Sequence, residues 1–149
     1  MIEVQNQKLA ILTPPQLKDA GAFIGNTYVD TAGWNHLRVL FIIGTLDIGL
    51  GSTAAGTAPK VEECDTSGGS YTDVSGAALA DAIGALEDDK LFAIDIDLTK
   101  SHKRYMQVNA PTAGDGTAGV NAAIIAILSR PEIGPRNAAE QGLTEHITA

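Results

Sequence analysis

The stretch Leu91-Phe92-Ala93-Ile94-Asp95-Ile96-Asp97-Leu98 alternates at period two. Phe92, Ile94, Ile96 and Leu98 fall on one side and Ala93, Asp95 and Asp97 on the other, the pattern of a half-buried β-strand. A short basic segment leads into Lys103-Arg104-Tyr105-Met106-Gln107-Val108-Asn109, which predicts a second strand. A Gly-rich turn, Thr112 to Gly119, precedes a third apolar run, Val120 to Leu128. Strand, basic turn, strand, Gly turn, strand is the layout of an antiparallel β-sandwich. No catalytic machinery is recognisable along the chain, so function is expected in its surfaces.

Upstream, Trp34 starts the longest strand candidate, Leu37 to Ile48, with Leu37, Val39, Phe41 and Ile43 on one face and Leu40, Ile42, Leu46 and Ile48 on the other. Apolar residues on both faces predict a central strand or one covered on both sides. The N-terminal arm, or a contact with another subunit, is expected to cover the outer face. Thr27 to Asp30 is a short extended stretch, Gly49 to Pro59 a loop of small residues, and Lys60 to Asp65 an acidic strand near an edge. After a turn at Thr66 to Gly69, Tyr71 to Val74 is extended. Ser75 is placed to cap a short helical turn over Ala77 to Ile83, ended by Gly84 and Glu87-Asp88-Asp89.

Residues 1–22 read as an arm. Leu9 to Leu12 is a brief apolar patch, Pro14-Pro15 stops regular structure, and Gln16 to Ala20 has the makings of a short helix closed by Gly21. Val4, Leu9, Ile11 and Leu12 need burial, which places the arm across its own sandwich or a neighbouring subunit. The tail, residues 131–149, has little periodicity and reads as extended or partly disordered on its own. The expected organisation is an arm (1–22), a sandwich (23–130) and a tail (131–149).

The 149 residues suit one domain with a sizeable core. The net charge of −8 argues against broad nucleic-acid binding, which needs a basic footprint. The single cysteine, Cys64, excludes an intrachain disulfide and reads as a half-buried small hydrophobe. The N-terminus lacks the basic and apolar regions of a signal peptide. No apolar run is long enough for a membrane helix. A soluble protein without membrane contact or cofactor is expected.

The candidate sites have bland alternatives. Asp95 and Asp97 share a strand face and could hold a cation with Asp47 or Asp115, but no calcium loop is present, so a solvated face is the expectation. Glu62, Glu63 and Asp65 read as an acidic edge that discourages strand addition. His36, His102 and His146 have no metal-ligand spacing to one another or to Cys64. No Ser-His-Asp constellation can be argued from these positions. Gly49-Leu50-Gly51 and Gly114-Asp115-Gly116 are turns, not phosphate loops. Lys100-Ser101-His102-Lys103-Arg104 is the one cationic cluster on an acidic chain. It is either a solvated hairpin tip or a docking point for an acidic surface. Trp34 and Tyr105 fit sheet packing better than sugar platforms.

From Val61 to Arg130 the chain resembles small virion proteins of tailed phages and prophages. The resemblance rests on the order of an acidic strand (Glu62 to Asp65), Ser67 to Val74, Ile94 to Leu98, Lys103 to Val108, Thr112 to Gly119, and Ala122 to Arg130. This group is similar to capsid decoration (cement) proteins with jelly-roll β-sandwiches. The resemblance implies an all-β, antiparallel, jelly-roll-like sandwich without enzymatic activity. It implies binding to the outside of a phage head, clamping neighbouring major capsid subunits, as a homo-oligomer, a trimer before a dimer. Such a protein is made in the bacterial cytoplasm and resides on the virion. Leu9, Ile11, Leu12, Lys100, His102, Lys103 and Arg104 are the expected contacts with the shell or a second subunit. The rival expectations are another phage structural component (tail tube, head completion or receptor binding) and a carbohydrate-binding module.

Overall fold

The computed structural model describes residues 6–19, 22–24, 27–51, 58–112, 119–132 and 139–144. They form nine strands: β1 (Gln7–Lys18), β2 (Ala22–Ile24), β3 (Val29–Asp30), β4 (Trp34–Leu46), β5 (Lys60–Cys64), β6 (Thr72–Ala78), β7 (Leu91–Asp97), β8 (Tyr105–Pro111) and β9 (Val120–Pro131). One sheet has the order β1-β9-β4-β7 and the other β2-β8-β5-β6, with β3 also paired to β8. Every pairing is antiparallel.

The order has a simple logic. β2 and β3 pair in succession with the same strand, β8, and act as one interrupted strand. The first strand then pairs with the last, the second with the second-last, β4 with β7, and β5 with β6. That is one long antiparallel hairpin, rolled so that β4 meets β9 and β5 meets β8. The fold is a jelly-roll β-sandwich.

The alternation read in the sequence faces the sheets as expected. Leu37, Val39, Phe41 and Ile43 of β4, Ile94 and Ile96 of β7, and Ile124, Ala126 and Leu128 of β9 point inward. They meet Val61 of β5 and Met106, Val108 and Ala110 of β8 from the opposite sheet, in one core cluster. Leu50 and Ile83 close one end of the core. They are fully buried and exchange backbone hydrogen bonds of 2.9 and 2.8 Å. β4 is central in its sheet, between β9 and β7; its Leu37, Val39, Phe41 and Ile43 face the core, while Leu40 and Ile42 lie on the outer face.

Several local expectations are corrected. The stretch read as an arm is a 12-residue edge strand paired along β9, and its Leu12 is a core residue at 2% exposure. Pro14-Pro15 does not end it, because an edge strand tolerates missing N–H donors. The disturbance appears as register shifts between Ile11 and Thr13 and between Thr13 and Gln16. Gln16 to Lys18 is strand, not helix. The capped helical turn is also absent: residues 72–78 form β6, and 79–90 turn irregularly around the Ile83 bridge. Gly76, at φ 77°, kinks β6 where its pairing with β5 slips between Lys60 and Glu62. In the tail, residues 139–144 turn back onto β1. The Leu9 N–H donates to the Gln141 carbonyl at 2.7 Å, and Gln141 is buried. Parts of the Gly49–Pro59 and Thr112–Gly119 loops, with Asp115 and His146, lie outside the described residues.

Candidate functional site

Register on the β1-β9-β4-β7 sheet lines up side chains across its outer face, because directly paired residues share a face. Four rows result, each running from β1 or β9 to β7: Gln7, Ser129, His36, Asp97; then Leu9, Ile127, Arg38, Asp95; then Ile11, Ile125, Leu40, Ala93; then Ala123, Ile42, Leu91. The first two rows are polar or mixed and the last two are apolar. Ile11 is 60% exposed and Leu91 65%, while Ile42 is also open to solvent. With strands about 4.8 Å apart and same-face residues about 6.8 Å apart, the seven residues of the two apolar rows span roughly 230 Å², with Ala123 itself buried. Apolar side chains grouped in rows, not scattered singly, make this the candidate contact surface. Among the described residues the expected cover by the N-terminal arm is not there, since residues 7–18 stand beside the face as its edge strand.

The polar end holds a hydrogen-bonded chain. His36 Nε2 lies 3.0 Å from an Asp95 carboxylate oxygen, and its Nδ1 shares a 2.9 Å hydrogen bond with Ser129 Oγ. A carboxylate only accepts, so Nε2 donates; in the neutral ring Nδ1 then accepts from the serine hydroxyl. Arg38 binds the same carboxylate through two N–H groups at 2.8 and 3.0 Å. The Arg38 hydrogen bond is the main cause that holds the Asp95 carboxyl below the usual carboxylate range. Gln7, His36, Arg38, Ile127 and Ser129 line a shallow hollow of about 220 Å³ beside this chain.

Sequence reasoning offered no such constellation, yet the fold assembles one from residues 57 and 93 positions apart. Only the strand register brings them together. Its chemistry is that of a cross-strand tie. Both Asp95 oxygens are committed to Arg38, and the surrounding backbone N–H groups of β4 and β9 are spent in the ladder instead of being aimed at a substrate oxygen.

The seven predicted contact residues separate into groups. Leu9 and Ile11 sit on the outer face, whereas Leu12 is inside. The cationic residues lie on the connection between β7 and β8. Lys100 is exposed, and its carbonyl is 2.8 Å from His102 Nδ1. The Lys103 N–H donates to Glu63 at 2.9 Å and its Nζ to Thr72 at 3.1 Å. Arg104 makes a two-pronged contact with Asp30 at 2.9 and 2.7 Å and stacks over Tyr105 at 5.2 Å. The Arg104 hydrogen bond lowers the Asp30 carboxyl and raises the guanidinium. Arg104 and Lys103 therefore brace β3, β5 and β6 around β8, which leaves Lys100 as the freer cation of the cluster.

A second hollow, about 340 Å³, opens between the edges of β6 and β7. Val74, Ser75, Gly76 and Ala77 line one side, and Asp95, Ile96 and Asp97 the other. Glu63, Lys100 and His102 close its end. Cys64 is buried near Thr66, and Trp34 is half-buried against the core, as sheet-packing residues. Among the described residues no group of three His, Cys, Asp or Glu side chains is placed to hold a metal ion, and no helix is long and apolar enough to cross a membrane.

Comparison of the chain with family models, with curated proteins and with solved structures finds no match.

Proposed function

We propose that this chain is a structural virion protein that binds the outside of a phage capsid and clamps neighbouring major capsid subunits. The observation that carries the reading is the open apolar band on the outer face of the β1-β9-β4-β7 sheet, from Ile11 through Ile125 and Leu40 to Ala93, with Ile42 and Leu91 beside it. A jelly roll hides its inner faces in its own core and normally solvates the outer ones. Here an outer face keeps two rows of aliphatic side chains instead. The resemblance of residues 61–130 to capsid decoration proteins supports the same reading, as does the use of jelly rolls in viral shells.

The energetics favour a clamp over a single strong contact. Covering roughly 230 Å² of apolar surface yields about 6 kcal/mol before the cost of association is subtracted. That cost consumes much of the gain, so one patch binds weakly. Two or three patches held in one oligomer bind at high effective concentration once the first has docked. Arg38 and His36 at the polar end of the face would fix orientation, and Lys100 would meet acidic shell residues.

The test is particle occupancy. Imaging and quantitative protein analysis of purified particles from the encoding phage or prophage should find this chain at a fixed copy number outside the shell. Substituting Ile11→Glu together with Leu40→Glu should empty those sites while leaving the sandwich folded. Particles lacking the chain, or full occupancy by the double variant, would defeat the proposal.

A further inference from the structure

The two sheets have four outer edges, and three of them are guarded. β1 carries Pro14 and Pro15, has two register shifts, and receives the tail at Leu9. β6 is kinked at Gly76 and slips three residues against β5. The remaining edge of the second sheet is made by the three residues of β2 and the two of β3. β7 is different. Its seven residues pair with β4 in unbroken register and contain no proline or glycine. A regular edge that none of the described residues covers is a template for another strand.

The backbone direction along this edge follows from two hydrogen bonds. Ile43 N–H donates to the Lys90 carbonyl at 3.1 Å, and Leu98 N–H to the Asn35 carbonyl at 3.0 Å. Bonded pairs alternate in an antiparallel ladder. Phe92, Ile94 and Ile96 therefore point their N–H and C=O groups at β4, whereas Leu91, Ala93, Asp95 and Asp97 point theirs outward.

We infer that the occupant of this edge is the β7 strand of a second copy of this chain, paired antiparallel about a twofold axis at Ile94. The strand is self-complementary in that register and poorly so in the neighbouring ones. Ala93 of each copy falls opposite Asp95 of the other, and Leu91 opposite Asp97. All four outward-facing residues thereby gain partners, Asp97 through its N–H, since its carbonyl already accepts from the Lys100 N–H at 3.4 Å, and no aspartate faces an aspartate. Centring the axis on Asp95 would oppose two carboxylates, and centring it on Ala93 would leave Asp97 beyond the ladder. Diagonal approach of the two Asp95 side chains is offset by the Arg38 guanidinium that each already holds.

The inner side agrees. Ile94 meets Ile94, and Phe92 of the second copy comes opposite Ile96, beside the hollow lined by Val74, Gly76 and Ala77. Phe92 is only half-buried within one chain, and the hollow would complete its burial. At the strand ends the 98–100 turn of one copy approaches the 88–90 turn of the other, bringing Lys100 toward Asp88 and Lys90 toward Asp97. The product is a continuous eight-stranded sheet with two apolar bands on the same face. It stands apart from the virion reading, since a monomer could still decorate a shell and a dimer could exist without one.

The experiment is sedimentation of the full chain over a concentration series, together with amide exchange at Leu91, Ala93 and Asp95. The expected result is a species of twice the chain mass, with protection of these three amides rising as the dimer forms. Ala93→Pro removes an N–H that points away from β4, so it leaves the intramolecular ladder intact. It should raise the dimer dissociation constant at least tenfold. A chain that stays monomeric at near-millimolar concentration overturns the inference. So does a dimer whose Ala93 amide exchanges freely, which needs no variant to observe.

Discussion

Replacing Gly142 by alanine isolates the contact between the tail and β1. Gly142 adopts φ +74°, a region that costs an L-residue roughly 1–2 kcal/mol. A Cβ built there overlaps the Leu9 carbonyl oxygen, which is backbone and cannot swing aside. The tail must therefore lift, breaking the 2.7 Å bond between Leu9 N–H and the Gln141 carbonyl, worth about 1 kcal/mol. A lifted residue 142 is released from the positive φ, so that strain is not added to the lost bond: the expected loss is about 1 kcal/mol, or a fall in Tm of about 2–4 °C for a domain of this size. Undocking also sets a ceiling, because a tail that has already lifted has nothing further to lose. A chain ending at residue 138 should thus melt together with Gly142→Ala. Amide exchange at Leu9 is the local reporter, and it should accelerate in both variants while Leu37 and Ile124 in the core stay protected until global unfolding. If Gly142→Ala leaves Leu9 exchange unchanged, or costs far more than removal of the tail, the reasoning fails.

Phe41→Ala should cost about 3–5 kcal/mol, measured by denaturant unfolding, because Phe41 is fully buried between the sheets. Asp30 and Asp95 should titrate below the ordinary carboxylate range by NMR, and Arg104→Gln and Arg38→Gln should each return its partner's midpoint upward. Because the folded values are depressed, these ionised pairs stabilise the fold above the unfolded-state pKa near 4, and that contribution disappears as pH falls through the folded values. Gly69→Ala would place a Cβ within 2.6 Å of Cys64 Sγ and 2.5 Å of Thr66 Oγ1. It should turn a thiol that resists aromatic disulfide reagents in the native protein into a reactive one; equal reaction rates in the two proteins would refute that packing.

The strands legible in the sequence were those with a clean division between faces. β7 alternates because only one of its faces is buried, and β4 reads as central because both of its faces are apolar. β1 escaped because two prolines interrupt it, and the edge position that makes them tolerable is a tertiary fact. Residues 77–83 misled for the opposite reason. Their small side chains satisfy helical propensity, but local propensity yields to the β5 pairing and the Leu50–Ile83 bridge. At the candidate site the individual residues were visible and their neighbours were not. Ser129, His36, Arg38 and Asp95 come from three strands, and no local pattern encodes the register that aligns them. Arg104 looked like a free cation because its counterion, Asp30, lies 74 residues away.

The last of the described strands is also the keystone of its sheet. β9 stands between β1 and β4 and is the partner of both. During synthesis β1 precedes its pairing strand by more than a hundred residues, so it waits that long for a ladder partner. Until β9 clears the ribosome, the sheet is split into a lone strand and a pair, with the greasy flank of β4 bare. Premature termination before Val120 would therefore release a sticky fragment and not a smaller jelly roll, and the slow, sequence-distant closure of β9 sets the pace at which each copy becomes safe from its neighbours.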